Sequence, residues 1–349
     1  MATTPKPPAD GVRGSEPETF DAILVVAFGG PEGMDDVMPF LENVTRGRNV
    51  PPERLEEVAH HYARFDGVSP INEQNRALIE ALRPELTGHG IDLPIYLGNR
   101  NWRPFLADTL RDMRDEGVQR ALAFFTSGFS SYSSCRQYRE NILAAQAAVG
   151  PYAPEVARTR MFYNHPGFVQ ANAEHVADAL TVVPDDRRAD VHIAFTAHSI
   201  PLAMARQSRY ESQLEEASRL VADEAGVARR AVVYQSRSGS PRAPWLEPDV
   251  SDHIRGLAER GVRDVVLSPI GFISDHVEVL FDLDVEAREA AEEVGVDLVR
   301  APTVGTHPAF VAMIRELIQE RLDPQVPRRA LGRFGPSHDV CQPGCCLPG

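Results

Sequence analysis

Residues 268–287 read SPIGFISDHVEVLFDLDVEA, an apolar strand followed at once by Asp275, His276, Glu278, Asp282, Asp284 and Glu286. Asp275, Glu278, Asp282 and Glu286 fall at i, i+3, i+7 and i+11, the spacing of one helical face. Carboxylates at a helix start suit the macrodipole. Further along they do not, since like charges four apart repel by about 0.2–0.5 kcal/mol per pair. Val277, Val279, Leu280, Phe281 and Leu283 surround them, so this is no ordinary solvated face. A file of carboxylates is what a hydrated divalent cation would follow inward. His198, in FTAHSIP, stands just past an apolar strand. It is either a strand-end hydrogen-bonding residue or a base or metal ligand, because imidazole titrates near neutrality and binds borderline metals. Cys135 is isolated, whereas Cys341, Cys345 and Cys346 lie together in CQPGCCLPG. Their C-x3-C-C spacing departs from the C-x2-C of zinc sites. On spacing alone, a bound metal and free thiols both stand.

Other chemistries are disfavoured. AFGGPEG (27–33) follows a strand, but its spacing is wrong for G-x-G-x-x-G, Pro31 occupies the helix start, and no convincing acidic partner follows about 20 residues on. No Walker pattern is present, so no nucleotide is expected. The net charge of −14 offers no basic surplus to displace phosphate counterions or to hold an anionic bilayer. No apolar run reaches the roughly 18–20 residues of a membrane span. The first residues lack the apolar core of a signal peptide, and structural disulfides are foreign to a reducing compartment. A cytoplasmic protein is expected, contacting no nucleic acid and not integral to a membrane.

The elements that must position these groups alternate. Apolar strands at 22–28, 93–98, 120–126, 190–197, 230–236 and 264–270 are separated by amphipathic stretches, the pattern of parallel sheets covered on both faces. The chain also contains itself twice. RPFLAD recurs as APWLEPD, GVQRALAFFTSGFSS as GVRDVVLSPIGFISD, and HPGFV as HPAFV. Pairing Pro104 with Pro244, Gly117 with Gly261, Gly128 with Gly271 and Pro166 with Pro308 gives offsets of 140, 144, 143 and 142. Four matches in order at a nearly fixed offset indicate duplication, hence an α/β fold of two similar parallel-sheet domains facing across a cleft. The division expected is a disordered tail (1–18), a first domain (19–158) with a helical insertion (31–69), and a second domain (159–305). A helix (306–322) packs back on the first domain, and a linker with the cysteine tail (323–349) follows.

In sequence order, AFGGP, GVSPINEQNRAL, FTAHSIP, YQSRSGSPRAPWLEPDV and PIGFISDHVEVLFDLDVEA resemble the ferrochelatase family over residues 21–322. The resemblance implies two pseudo-twofold, Rossmann-like (chelatase-type) domains and insertion of Fe(II) into a porphyrin without a nucleotide. His198 and Glu278 match the pair that faces the porphyrin centre and binds the metal. Asp282 and Glu286 match the acidic path beyond, for metal or protons. Ser69 and Tyr138 match porphyrin-contacting positions, where hydroxyl donors suit propionate oxygens. Arg46, Arg48 and Arg100 are further propionate candidates, with surface ion pairing as the alternative. Phe28, also at the porphyrin, stands where some soluble bacterial members carry an iron-coordinating tyrosine, and Asn101 where relatives carry a histidine. Both departures leave more of the metal chemistry to His198 and Glu278.

The cysteines are similar to those of actinobacterial members, which implies a [2Fe–2S] cluster on Cys135, Cys341, Cys345 and Cys346. The expected substrates are ferrous iron and coproporphyrin III, because the chain lacks the extended apolar lip of membrane-docked relatives. Protoporphyrin IX is the near alternative. A cobalt or sirohydrochlorin chelatase and a non-catalytic tetrapyrrole or iron carrier are the other readings. A monomer is expected, meeting neighbouring haem-pathway enzymes only in passing.

Overall fold

The structure is a computed structural model that describes residues 18–47, 50–238 and 243–349. Residues 1–17 of the expected tail and Arg48 lie outside the described residues. Glu18, also assigned to that tail, is instead held by Arg120 and Arg321, each at 2.6 Å.

The first half contains β1 (Ala22–Ala27), α1 (Met34–Val44), α2 (Pro52–Ala63), α3 (Ile71–Thr87), β2 (Ile95–Asn99), α4 (Leu106–Asp115), β3 (Arg120–Phe125), α5 (Gln137–Val149) and β4 (Glu155–Arg158). After α6 (Pro166–Leu180) come β5 (His192–His198), α7 (Leu202–Arg206), α8 (Tyr210–Glu224), β6 (Arg230–Gln235) and α9 (Val250–Glu259). Then follow β7 (Asp264–Ser268), α10 (Val277–Leu280), α11 (Ala287–Val294), β8 (Asp297–Arg300) and α12 (Pro308–Leu322). Two π-helical turns, Tyr132–Arg136 and Phe281–Glu286, run into α5 and α11.

The strands form two four-stranded parallel sheets, β2-β1-β3-β4 and β6-β5-β7-β8. β1 is buried at all six positions, as a central strand covered on both faces must be. Edge strands β4 (EVAR) and β8 (DLVR) carry no apolar run, and sequence periodicity does not reveal them.

The sheets repeat one order, so the duplication is real, with one correction to its register. The counterpart of Pro104 is Pro248, not Pro244. The carbonyl of Pro104 accepts from the Asn99 N–H at 2.7 Å, and that of Pro248 from the Tyr234 N–H at 2.9 Å. The next residues, Phe105 and Asp249, are the N-caps of α4 and α9. The likeness of RPFL to APWL misleads because Pro–aromatic–Leu satisfies several turns, whereas only one proline abuts the helix.

Helices α6 and α12 are exchanged between the halves. α6 follows the first sheet but packs on α8 and β7 of the second, and α12 packs back on α3 and α6. Phe310 of α12 meets Phe124 of β3 with ring centroids 6.3 Å apart. The two helices cross closely because Gly167 has no side chain: a Cβ there would lie 2.5 Å from the Ala309 carbonyl oxygen. Each is capped by a histidine, His165 accepting from the Gly167 N–H and His307 from the Ala309 N–H. Each cap's other nitrogen faces a glutamate of the opposite helix, His165 to Glu316 at 3.3 Å and His307 to Glu174 at 3.1 Å. The largest apolar cluster accordingly runs through both halves.

The segment between β1 and α3 is closed at its base by the Glu32–Val68 bridge. Val37, Phe40, Leu41 and Tyr62 from it pack with Trp102 and with Val277 of α10. His61 of α2 stacks flat on Phe281, centroids 3.8 Å apart at 10°. α1 and α2 thus bridge from the end of β1 to the acidic stretch of the other half.

Candidate active site

His198 is the last residue of β5, at the carboxyl end where ligands of open α/β sheets bind. Its Nδ1 lies 2.5 Å from the Ser199 carbonyl oxygen. A carbonyl only accepts, so Nδ1 carries the proton and Nε2 presents its lone pair. Nε2 faces Glu278 Oε2 at 3.9 Å. The Tyr210 hydroxyl donates to the His198 carbonyl at 3.0 Å and fixes the strand end.

Glu278 stands in the first turn of α10. Its side chain is 44% accessible and that of His198 36%, so both open into the cleft. The surrounding protein still strips water from the carboxyl, and desolvation pushes Glu278 up to about 7. His276, the N-cap of α10, is driven down to about 3 by burial and then by repulsion from His198. It lies within the quoted acidic stretch, but sequence reasoning gave it no role. Tyr62 is buried, and burial followed by the Glu278 charge raises its phenol.

The acidic file has three members rather than four. The helix begins at Val277, so Asp275 precedes it and pairs with Arg300 at 3.0 Å, beside Asp284 at 2.8 Å. Beyond Glu278 the backbone widens into the π turn Phe281–Glu286, which holds Asp282 and Glu286. Asp282 accepts from Ser236 Oγ and from Gln235 Nε2, the latter at 3.2 Å. Burial pushes Asp282 up to about 7 against those hydrogen bonds, with Glu278 and Glu286 repelling it. Glu286 is raised by burial and then by Asp249 and Glu289. It opens into a surface recess of 410 Å³ shared with Asp249, Asp252, Glu289, Glu293 and Arg255.

At the end of β1, Phe28 is 36% exposed. The turn that follows it is tight: Gly29 has φ 82°, and a Cβ there would lie 2.8 Å from Asn99. The Arg100 guanidinium lies 5.6 Å from the Phe28 ring centroid and 4.2 Å over Tyr138. Tyr138 is buried beneath it. Ser69 is also buried, its N–H donating to the Pro31 carbonyl at 2.8 Å. Arg46 is exposed, just past α1. The Asn101 carbonyl accepts from Asn43 at 2.8 Å.

Away from the cleft, the tail brings its sulfurs to the first π turn. Cys135 Sγ is 3.8 Å from Cys341 Sγ, and Cys345 Sγ is 3.4 Å from Cys346 Sγ. The donor atoms of His338, Cys341 and Cys345 all lie within 4.8 Å of one another, a set able to hold a metal. Contact with Cys341 and then Cys345 raises His338 to about 9. Arg158 Nη2 lies 3.0 Å from Cys341 Sγ. Burial works against the Arg158 charge, but Cys135, Cys341 and Asp339 outweigh it. Sequence reasoning missed His338, whose only signal is its place three residues before Cys341.

Among the described residues no helix is long and apolar enough to cross a membrane. The profile of the family described as Ferrochelatase matches residues 20–322. A ferrochelatase of Rhodopirellula baltica is 56% identical, covering 95% of this chain and 95% of its own. A coproporphyrin III ferrochelatase of Streptomyces griseus is 50% identical, covering 95% of this chain and 94% of its own. The solved structure of SirB from Bacillus subtilis with Fe3+ covers 88% of this chain and 99% of its own, at TM-score 0.55 and 11% identity, a likeness of fold alone. With that profile matching the stretch that holds both sheets and the His198–Glu278 cleft, the chain belongs to the ferrochelatase family.

Proposed function

We propose that this enzyme inserts Fe(II) into coproporphyrin III, giving Fe-coproporphyrin III. The observation that carries the reaction is the His198 imidazole, with Nδ1 tied to Ser199 and Nε2 aimed into the cleft toward Glu278. Two pyrrole N–H protons must leave as iron enters. His198 Nε2 is the acceptor, a neutral base with its tautomer already set. Glu278, lifted to about 7, takes the proton onward near neutral pH, and Asp282 and Glu286 continue the path toward the acidic recess. The same carboxylates strip water from arriving iron. Binding the rest of the macrocycle in a bent form exposes the pyrrole lone pairs, with remote binding energy driving the distortion.

Ser69, Tyr138, Phe28, Arg46 and Arg100 form the porphyrin side of the site. Coproporphyrin III is favoured because the Streptomyces griseus relative is a coproporphyrin III ferrochelatase. Four propionates also suit a site with arginine near its mouth. The tail fits a [2Fe–2S] cluster on Cys135, Cys341, Cys345 and Cys346: four thiols gather there, and the half-buried Arg158 offsets their charge. When bound, such a cluster supplies iron–thiolate cross-links and a one-electron couple. Ferrous iron and reduced thiols both call for a reducing compartment, the cytoplasm.

Insertion assays with coproporphyrin III and protoporphyrin IX side by side test the substrate. Turnover of coproporphyrin III about tenfold or more faster in kcat/KM is expected, a difference of one decade in transition-state binding. Preference for protoporphyrin IX overturns it.

A further inference from the structure

The π turn Tyr132–Arg136 and the start of α5 carry two sets of contacts facing different parts of the molecule. On the cleft side, Arg100 Nε donates to Asn141 Oδ1 at 2.7 Å and its Nη1 to the Ser133 carbonyl at 3.3 Å, over the ring of Tyr138. On the tail side, Cys135 meets Cys341. Arg136 Nη1 donates to the carbonyls of Pro343 at 2.8 Å and Cys345 at 3.0 Å, and Arg139 Nη1 to that of Cys341 at 3.5 Å. The turn has its own brace: the Ser131 carbonyl accepts from the N–H groups of Cys135 and Arg136, and Ser131 Oγ accepts from that of Ser134. π turns are a strained, locally widened geometry that recurs at functional sites, and here outside contacts flank one on both sides.

Arginine is a long, rotamer-rich side chain, so an arginine that must meet a ligand gains affinity when its fork is fixed beforehand. We propose that Asn141 and the Ser133 carbonyl are positioning groups that aim Arg100 at a carboxylate of the macrocycle, and that the cysteine tail stiffens this aim by gripping the turn that carries Ser133. The inference rests on the reading of Arg100 as a porphyrin anchor. The tail then acts on porphyrin binding and leaves the metal-exchange step alone.

Ser133 contributes its main chain, so Asn141 is the position to change. The readouts are the coproporphyrin III dissociation constant by fluorescence quenching, and KM against kcat, in the full-length protein. Arg100→Leu is expected to raise the constant about tenfold or more, the scale of a charge-assisted hydrogen bond. Asn141→Leu is expected to raise it about fivefold with kcat within about twofold, and Asn141→Asp to restore it, since a carboxylate accepts the same Nε–H. Cys341→Ala is expected to raise it about threefold alone and to add little in the Asn141→Leu background, the non-additivity of two changes on one path. Equal losses in Asn141→Leu and Asn141→Asp, or full multiplication of the Asn141 and Cys341 effects, overturn the proposal. If Arg100→Leu weakens binding and Asn141→Leu does not, only the positioning inference fails. If Arg100→Leu changes nothing, the anchor reading falls with it.

Discussion

An imidazole whose Nδ1 is committed to the Ser199 carbonyl turns Nε2 toward Glu278. His198→Ala is therefore expected to lower iron insertion by about 10²–10⁴-fold, the range for loss of a positioned base, while porphyrin affinity stays within about threefold. Near-normal turnover in that variant removes His198 from the mechanism. Asp282, lifted to about 7 by burial, carries a pH-dependent penalty whose sign is fixed. A carboxyl with a raised folded pKa binds more protons folded than unfolded, so stability falls as pH rises from about 4 through 7. Asp282→Asn removes the charge. Discounted for water at this partly exposed side chain, the variant should exceed the parent by about 1–2 kcal/mol at pH 8 and match it near pH 4. Urea melts at both pH values check this, and equal stability at pH 8 counts against it. His198 and the file Glu278–Asp282–Glu286 were legible because their type and spacing are unusual for a covered face. Asn141, Tyr62 and His338 were not, since nothing in a single sequence says which distant group a lone polar residue will meet.

At the level of elements, the two π turns occupy corresponding places, each after the third strand of its half. One carries Cys135 and the other Asp282. The last residues of the edge strands also correspond, 142 positions apart. Arg158 at the end of β4 faces the Cys341 sulfur, and Arg300 at the end of β8 holds Asp275 and Asp284. Each cation balances charge beside its own π turn. Arg300, Asp275 and Asp284 are 16%, 13% and 29% exposed at their side chains, so Arg300→Leu leaves two half-buried carboxylates uncompensated. A loss of about 2–4 kcal/mol is expected, somewhat below the cost of breaking a fully buried pair. Denaturant unfolding measures it, and a loss under about 1 kcal/mol contradicts the account. The six longer strands were readable from their apolar runs. β4 and β8 were not, because four residues with charged ends present no such run. Nor was the π geometry, since a helical spacing of 3.6 and one of 4.4 residues both bring Glu278 and Asp282 to nearly one face.

Across the whole molecule, Arg160 and Glu320 form a bidentate pair at 2.7 and 2.8 Å with side chains 0% and 2% exposed, and Arg160 also donates to the Arg329 carbonyl at 2.7 Å. This pair joins the start of the second half to α12 and the tail. The tail is further held where Asn164 exchanges hydrogen bonds with Leu331 and where Glu216 accepts from the Arg333 N–H. Its last stretch is held by the cysteines together with Arg136, Arg139 and Arg328. With the proposed cluster in place, removing its metal with a chelator should open residues 336–349 to protease while the body stays intact. Mass spectrometry of the fragments checks this, and unchanged resistance shows that the tail's protein contacts hold it without metal.

The crossing of α6 and α12 also bears on how such a chain could arise. The pairs His165–Glu316 and His307–Glu174 are one contact written twice, each partner 142 residues from its twin. A solitary half would send its last helix outward, and a second copy of itself supplies the matching surface. Two such copies joined in one chain keep that association permanent, whatever the concentration of the protein.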